Sequence, residues 1–466
     1  MAYYARNRMF FASSTSLMLA SASWMSLSLI WHDPVPIAWR VPLTLALIVF
    51  SQCITSMRVL ITKRPDLPFA LVRTGGFISA AFVTLFWLVL LRDALLGLAL
   101  ALGLLPAMSE FCGAAARALL SIPVELGMLG ASFLIAALGM AFALRVPPVR
   151  EVRIAMPNLP PELEGLRIAQ LSDLHIGSTF GGDWLQKVVD RTNALAPDFT
   201  FITGDLADGT PSRIGHHLQP LTDLRARYGV LASPGNHDYY SGLVPWLETW
   251  RGWGLTMLLN DHRDFEVKGR TVRVAGVTDP CAKLFPSLGP KMGPPDTKLA
   301  LRTPSKTDGA SLKLPANSAA SVAPDAVSCR ITSGVDSTAR PESGRQSVPG
   351  SDAAPHASLH AAAPIDAPIP APADFTILLA HRPGHARPNA ALGVDLQLSG
   401  HTHGGQFFFL FPLVARMNRG FRSGLYHADN MPLYVSPGTG MWGYVPMRFG
   451  SRSEISLLVL TEAPTL

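Results

Sequence analysis

Five short stretches of this 466-residue chain carry the residue types that hold cations and move protons. They read LSDLHIG, with Asp173 and His175; ITGDLADG, with Asp205 and Asp208; SPGNHDYY, with Asn236, His237 and Asp238; LLAHRPG, with His381; and LSGHTHGGQ, with His401 and His403. Side chains at i and i+2 on an extended segment point the same way. Asp173 with His175, and His401 with His403, obey that spacing, so each pair can approach one ion from two directions. The glycines beside them (Gly204, Gly235, Gly400, Gly404 and Gly405) permit sharp turns and close approach. The donors are carboxylates, imidazoles and one amide, with no thiolate, a set that suits Mn²⁺, Fe or Zn²⁺ rather than a cysteine-based structural zinc. Even seven of these ten groups are too many for a single tetrahedral ion. They suit two ions about 3.5–4 Å apart, the arrangement used for in-line displacement at phosphorus.

Positioning these groups requires strands that end together. Each stretch follows directly on a β-rich run, and in an open α/β sheet ligand-binding groups gather at the carboxyl ends of the strands. The predicted strands are Leu166–Leu171, Phe199–Thr203, Gly229–Ala232, Thr271–Val277, Phe375–Ala380, Asp395–Leu398, Leu433–Val435 and Ile455–Leu460, with helices such as Asp183–Ala194 and Leu243–Trp253 between the early ones. Alternating strands and helices give a layered α/β domain over residues 150–466. Residues 283–373 break the pattern. Rich in Ala, Pro, Ser and Gly, this stretch lacks the apolar surface to offset its ordering entropy and reads as a disordered insertion in a surface loop. His356 and His360 lie in it and receive no role.

In this order, D-x-H, G-D-x-x-D, G-N-H-D, a lone His after a strand and G-H-x-H resemble the calcineurin-like metallophosphoesterase superfamily. GHTHGGQ and the later SPGTGMWGYVPMRFGSRSEISLLVL are most similar to its YkuE/YaeI-type branch, some members of which carry N-terminal membrane segments. The resemblance covers about Val152–Leu460 without the insertion. It implies two packed β-sheets flanked by helices. It also implies that Asp173, His175 and His403 bind a first metal, that Asn236, His381 and His401 bind a second, and that Asp205 bridges them. His237, not a ligand, would face the substrate, stabilise charge on phosphorus and protonate the leaving oxygen. Two cations would lower the pKa of a bridging water enough to supply hydroxide near neutral pH.

The bland reading of these residues is an accidental set of turn-capping Asp, Asn and His, which five ordered motifs at strand ends disfavour. It stands better elsewhere. Asp208 and Asp238 read as loop-holding or ligand-orienting residues, His216-His217 as a solvated pair, and Arg448 and Trp442 as packing or rim residues. Arg382 reads equally as a phosphate contact or a surface arginine.

Before Arg145 the texture is that of a membrane protein. Charged residues make up only 15% of the whole chain against 48% hydrophobic, where about 25% charged is ordinary, and almost all of the deficit lies there. Within residues 1–149, four stretches, 9–31, 41–62, 75–91 and 123–144, match the roughly 20 apolar residues that cross a bilayer. The piece after Arg92-Asp93 is an extension of the third helix, an interfacial segment or a fifth span, and the Arg92-Asp93 pair reads as the mark of a helix end, with an intramembrane ion pair of functional role as the alternative. An alternative for the first stretch is a signal peptide, with Arg6 and Arg8 as its basic region and Ala20-Ser21-Ala22 as a cleavage site. Lys and Arg cluster at Arg6 and Arg8, at Arg58, Lys63, Arg64 and Arg73, and at Arg145, Arg150 and Arg153. With four spans this places the α/β domain on the cytoplasmic side of an inner or plasma membrane.

The net charge of +6 suits an anionic substrate or lipid headgroups. No compact Lys/Arg run with interleaved aromatics argues for nucleic acid. Four dispersed cysteines exclude a disulfide framework. The expected function is a membrane-anchored binuclear-metal phosphohydrolase acting on a phosphate ester, in its sharpest form a diester or pyrophosphate of a lipid or lipid precursor. The alternatives are a protein Ser/Thr phosphatase and a non-catalytic membrane sensor or transporter with a metal-binding domain. A broken ligand set would mark the last, and none of the seven positions is broken.

Overall fold

Apolar sequence with few charges and no strand-like alternation folds, among the described residues before Arg145, into five helices: α1 (Ala2–Leu29), α2 (Ile37–Lys63), α3 (Phe69–Leu102), α4 (Ser109–Leu119) and α5 (Ile122–Ala143). Pro36 and Pro68 stand at the N-caps of α2 and α3, and Pro123 lies in the first turn of α5. A missing backbone N–H costs a helix nothing there. The structure is a computed structural model, and it describes residues 2–31, 35–64, 67–289, 292–302, 373–443 and 445–463. Among the described residues, three helices are long and apolar enough to cross a membrane: α2 over Ile37–Ile61, α3 over Phe69–Leu102 and α5 over Ile122–Ala143. The expected first span, residues 9–31, falls mostly in α1, which is not one of the three.

The sequence after Asp93 continues α3, so Arg92 and Asp93 do not mark a helix end as expected. Arg92 is 3% exposed. Its guanidinium donates to Asp93 at 2.7 and 2.9 Å, to Glu125 of α5 at 3.3 Å and to the Ser28 carbonyl of α1 at 2.8 Å. An arginine inside an apolar bundle persists because two carboxylates and a carbonyl replace its water.

Beyond Arg145 the described residues form twelve strands: β1 (Val149–Met156), β2 (Arg167–Leu171), β3 (Phe199–Thr203), β4 (Gly229–Ser233), β5 (Thr256–Met257), β6 (Asp261–Val267), β7 (Arg270–Gly276), β8 (Phe375–Leu379), β9 (Leu396–Ser399), β10 (Gly424–Ala428), β11 (Met431–Val435) and β12 (Ile455–Glu462). They make two six-stranded sheets, β1-β12-β2-β3-β4-β5 and β10-β11-β9-β8-β7-β6. Strands β2 to β5 run parallel in the first, and β11, β9, β8 and β7 run parallel in the second. The fold is therefore a helical membrane-span region followed by a mixed α/β domain of two packed sheets flanked by helices, as expected.

Alternation builds the core. In β3, Phe199 and Phe201 point into the layer between the sheets, where they meet Val272, Val274, Phe375 and Leu398, while Ile202 points outward. The outer face of the first sheet is covered by α6 (Gly182–Asn193), α7 (Pro211–Leu218) and α9 (Leu243–Gly252), through Leu185, Val188, Ile214, Trp246 and Trp250. The short α8 (Asn236–Tyr240) precedes α9. On the second sheet lie α10 (Thr297–Arg302) and α11 (Ala386–Ala390), through Ala300 and Ala386, and α12 (Phe411–Met417) follows β9.

Two expectations are corrected. The insertion does not begin at Lys283: Lys283 and Leu284 finish a 3-10 turn, Met292 is buried in the core with its carbonyl accepting from the Tyr239 hydroxyl, and α10 packs its fully buried Ala300 on the second sheet. An Ala/Pro/Ser/Gly composition hid these few apolar anchors. The remainder of the expected insertion, residues 303–372 with His356 and His360, lies outside the described residues. His217 is half-buried rather than solvated: its ring lies 5.4 Å from that of Phe69 on α3, and its Nδ1 accepts from Gly182 N at 3.3 Å at the start of α6. His216 is exposed.

Candidate metal centre

All five motifs occupy the carboxyl ends of parallel strands, β2, β3 and β4 in one sheet and β8 and β9 in the other. The two sheets are tied together behind the site. Gln170 donates to Ser399 O at 3.0 Å and to Thr203 Oγ1 at 2.9 Å, and Thr439 N donates to Ser172 O at 2.7 Å. Immediately past the strand ends the backbone turns sharply. Asp173, His175, Asp205, His401 and His403 all have positive φ, between 46° and 69°. Non-glycine residues adopt this region rarely and at a cost. Here it is held by hydrogen bonds between loops, such as Asp173 N to Gly204 O and His175 N to Asp205 O, both 3.0 Å.

The turned loops bring six of the seven expected ligands into two groups. Asp173, His175 and His403 form one and Asp205, His381 and His401 the other, each with its donor atoms within 4.8 Å of one another. His175 Nε2 and His403 Nε2 are 3.2 Å apart, and Asp173 Oδ1 is 3.2 Å from His403 Nε2. Asp205 reaches toward both groups: its Oδ2 lies 3.2 Å from His381 Nε2 and 3.6 Å from His175 Nε2. Asn236, the seventh, is buried at the start of α8 with its Oδ1 3.2 Å from Arg382 Nη2.

Whether these residues fit a cation can be tested on His381. Its Nδ1 donates to Thr203 O at 2.8 Å, which leaves Nε2 with a lone pair facing the Asp205 carboxylate, buried and without a hydrogen-bond partner. Two acceptors at that separation repel unless positive charge lies between them. Without a cation, a proton on Nε2 meets the same demand. Burial opposes charge on His381, but Asp205 overrides it and pushes the imidazole up to about 10. Burial would likewise raise the Asp205 and Asp173 carboxyls, yet the surrounding histidines hold both well below the carboxylate range. His401 and His403 go the other way. Burial, with Arg382 and His381 near the first, takes them down to about 3 and about 4, so they stay neutral and able to donate lone pairs. Anionic carboxylates, two neutral imidazoles and a third whose proton a cation would replace make a site that fits divalent cations.

Asp208 and Asp238 both hold neighbouring groups by hydrogen bonds, and Asp208 also lies with His175 and His237 in a third group whose donor atoms are within 4.8 Å of one another. Asp208 accepts from Nδ1 of His175 at 3.1 Å and of His237 at 2.7 Å, fixing both rings so that Nε2 of each faces away from it. Burial opposes the charge on His237, but Asp208 and Asp205 push it up to about 9, so it carries a proton at neutral pH. Its side chain is 22% exposed, at the mouth of the site. Asp238 is fully buried and accepts from the N–H groups of Asp205, Leu206, Ala207 and Gly235 at 2.8–3.3 Å. It clamps the β3 loop onto the β4 loop.

Sequence reasoning left Arg382 undecided and missed its partner. Asp279, fully buried just past the end of β7, holds Arg382 Nε at 2.7 Å, and Arg382 in turn reaches Asn236. The signal was available: Asp279 is one more polar residue at a strand's carboxyl end. A cleft lined by Thr278, Lys298, His381, Arg382 and His385 opens beside this pair. Arg448 is a buried packing residue whose guanidinium donates to the carbonyls of His403, Pro437 and Gly440. Trp442, 51% exposed, stands at the rim.

Comparison with known proteins matches this arrangement. The calcineurin-like phosphoesterase family profile matches residues 166–301. A transmembrane protein with metallophosphoesterase domain from Danio rerio is 33% identical over 337 residues, 71% of this chain and 61% of that protein. One of the same description from Bos taurus is 30% identical over 340 residues, again 71% and 61%. The uncharacterized metallophosphoesterase YkuE of Bacillus subtilis is 25% identical over 346 residues, 72% of this chain and 94% of its own length. The chain thus spans about three-fifths of the two vertebrate relatives and nearly all of the bacterial one.

Proposed function

This chain carries a calcineurin-like metallophosphoesterase domain behind membrane-span helices, and from that premise we propose that it is a membrane-anchored phosphohydrolase that cleaves a phosphate ester with two divalent ions. The observation that carries this reading is the position of Asp205, whose carboxylate stands within 3.2 and 3.6 Å of imidazoles belonging to the two donor groups. Asp173, His175 and His403 would hold one ion, Asn236, His381 and His401 the other, and Asp205 both. Bound there, divalent ions would supply neutralisation of phosphoryl oxygens and a nucleophile at neutral pH. Mn²⁺, Fe and Zn²⁺ all suit the donors.

The chain's own residues do the rest. His237, protonated and hydrogen-bonded to Asp208, stabilises developing charge on phosphorus and gives its proton to the leaving oxygen. Arg382, held by Asp279, adds a fixed positive charge beside the ester. The Lys and Arg at the domain-side ends of the spans (Lys63, Arg64, Arg73, Arg145, Arg150 and Arg153) support a cytoplasmic domain. A cysteine-labelling assay on intact cells would detect the opposite topology. The completeness of the donor set favours this reading over a non-catalytic sensor.

The test is turnover of bis(p-nitrophenyl) phosphate by the purified full-length protein with Mn²⁺, alongside metal analysis. Turnover should vanish with a chelator and return with metal, and Asp205→Asn should lower kcat at least about 100-fold. Undiminished turnover in Asp205→Asn, or none in the unaltered protein with Mn²⁺, Fe²⁺ or Zn²⁺, overturns it.

A further inference from the structure

The loop that carries His401 and His403 does not return to water. Directly after it the chain reads FFFLFPLVARM, and Phe408–Met417 forms an apolar helical stretch ending in α12. A second strip runs beside it: Phe408 N donates to Phe449 O, and Phe449 N to Gln406 O, both at 2.8 Å. Together these strips pack against the spanning helices. Phe407, Val445 and Met447 share one apolar cluster with Phe50 of α2, Phe77, Ala80 and Ala81 of α3, and Ala136 of α5. The Phe409 ring lies 4.3 Å from that of Trp87. Met447 sits so close to Gly139 that a Cβ there would stand 2.4 Å from its Cγ.

The helices give the depth of these contacts. With 22 residues, α5 is roughly 33 Å long, little more than the ~30 Å hydrocarbon core. Ala136 lies roughly 10 Å along the helix from its domain-side end at Ala143. Trp87 lies roughly 27 Å along the longer α3 from Phe69, where His217 meets it. A domain that grips these helices so far from their ends is not wholly outside the bilayer. Its other side fits the same medium: Phe408 and Leu413 are 53% exposed and Met417 73%, and the exposed Phe449 ring packs on Phe408 with centroids 5.4 Å apart. A contiguous apolar face of this kind is costly in water. Arg416 and Arg419, both exposed at the end of α12, are placed where lipid phosphates would meet them.

We propose that Phe407–Met417, with Phe449, is a second membrane element: it lies in the leaflet facing the catalytic domain and holds the His401–Gly405 loop at headgroup level. Coupling to the metal centre is direct. Phe411 packs over Gly405, and Arg422, 4.0 Å from the Phe411 ring centroid, donates to Gly404 O at 2.9 Å. The site then meets phosphoesters borne on lipid in preference to free ones, a consequence that rests on the phosphohydrolase reading.

The experiment uses the full chain in phosphatidylcholine/phosphatidylglycerol vesicles, with native cysteines replaced by serine and metal content checked. Spin labels are placed at Leu413→Cys, Met417→Cys and, as control, Asn430→Cys in the exposed β10–β11 turn. Labels at 413 and 417 should collide with oxygen more than with a water-soluble nickel chelate, and the label at 430 the reverse. Access of nickel to 413 and 417 equal to that at 430 overturns the proposal, as does shielding from both reagents, which would mean a protein partner. Leu413→Asp with Met417→Asp should lower turnover of a long-chain alkyl p-nitrophenyl phosphate in the vesicles at least tenfold and leave bis(p-nitrophenyl) phosphate within twofold. Equal loss on both overturns the lipid-borne preference. No turnover of either by the unaltered protein refutes the hydrolase reading, while the labels still decide the depth.

Discussion

Asp205 and His237 sit one hydrogen bond apart, His237 N donating to Asp205 Oδ1 at 2.7 Å, yet they divide the work between holding charge and delivering a proton. That division is measurable. His237→Gln should leave bound metal unchanged, because no donor is lost, and lower kcat by about 10²- to 10⁴-fold; metal analysis beside single-turnover kinetics separates it from Asp205→Asn, which should lose both. The donor residues were legible because metal chemistry restricts residue type and because i, i+2 pairs and flanking glycines survive in a bare sequence. Asp279 was not legible in its role. Its meaning comes from Arg382, which is 103 residues away, and no local pattern announces such a pairing. His217 misled for the same reason, since the Phe69 it packs on belongs to a membrane helix.

Eight strands were predicted from sequence and four were not, and the four missing ones, β1, β5, β6 and β10, are the edges of the two sheets. Central strands are covered on both faces and read as apolar runs. An edge faces water and carries charges that discourage unwanted pairing, as in VREVRIAM of β1 and DHRDFEV of β6. The site is built on central strands only, so the loss at the edges did not obscure it. The turns after those strands tolerate little. A Cβ on Gly235 would stand 2.2 Å from Asp205 Oδ1 and 2.5 Å from Asp205 N, and the buried backbone there cannot move aside. Gly235→Ala should therefore destabilise the domain by about 1–3 kcal/mol and lower its metal content, read by thermal melting and metal analysis. Equal metal and an unchanged Tm would show that the β3 and β4 loops are looser than drawn.

At the scale of the whole chain, the long Ala/Pro/Ser-rich stretch and the membrane helices make opposite claims on the catalytic domain. Strands β7 and β8 pair from Val272–Phe375 to Gly276–Leu379 without any residue of 303–372. Replacing that stretch with a Gly/Ser linker should leave Tm, metal content and turnover within about twofold, since loop-closure cost grows slowly with length. The spans are another matter. Sequence made the boundary at residue 149 look like a clean joint, because composition changes abruptly there. Interdigitation such as Met447 over Gly139 cannot be read from composition. A fragment cut at that joint would present Phe407, Val445 and Met447 to water along with the already uncovered Phe408, Leu413 and Met417. Such a truncated enzyme should elute from size-exclusion columns as aggregates unless detergent is supplied, and poor behaviour of the shortened protein would then be a property of the cut and not of the catalyst.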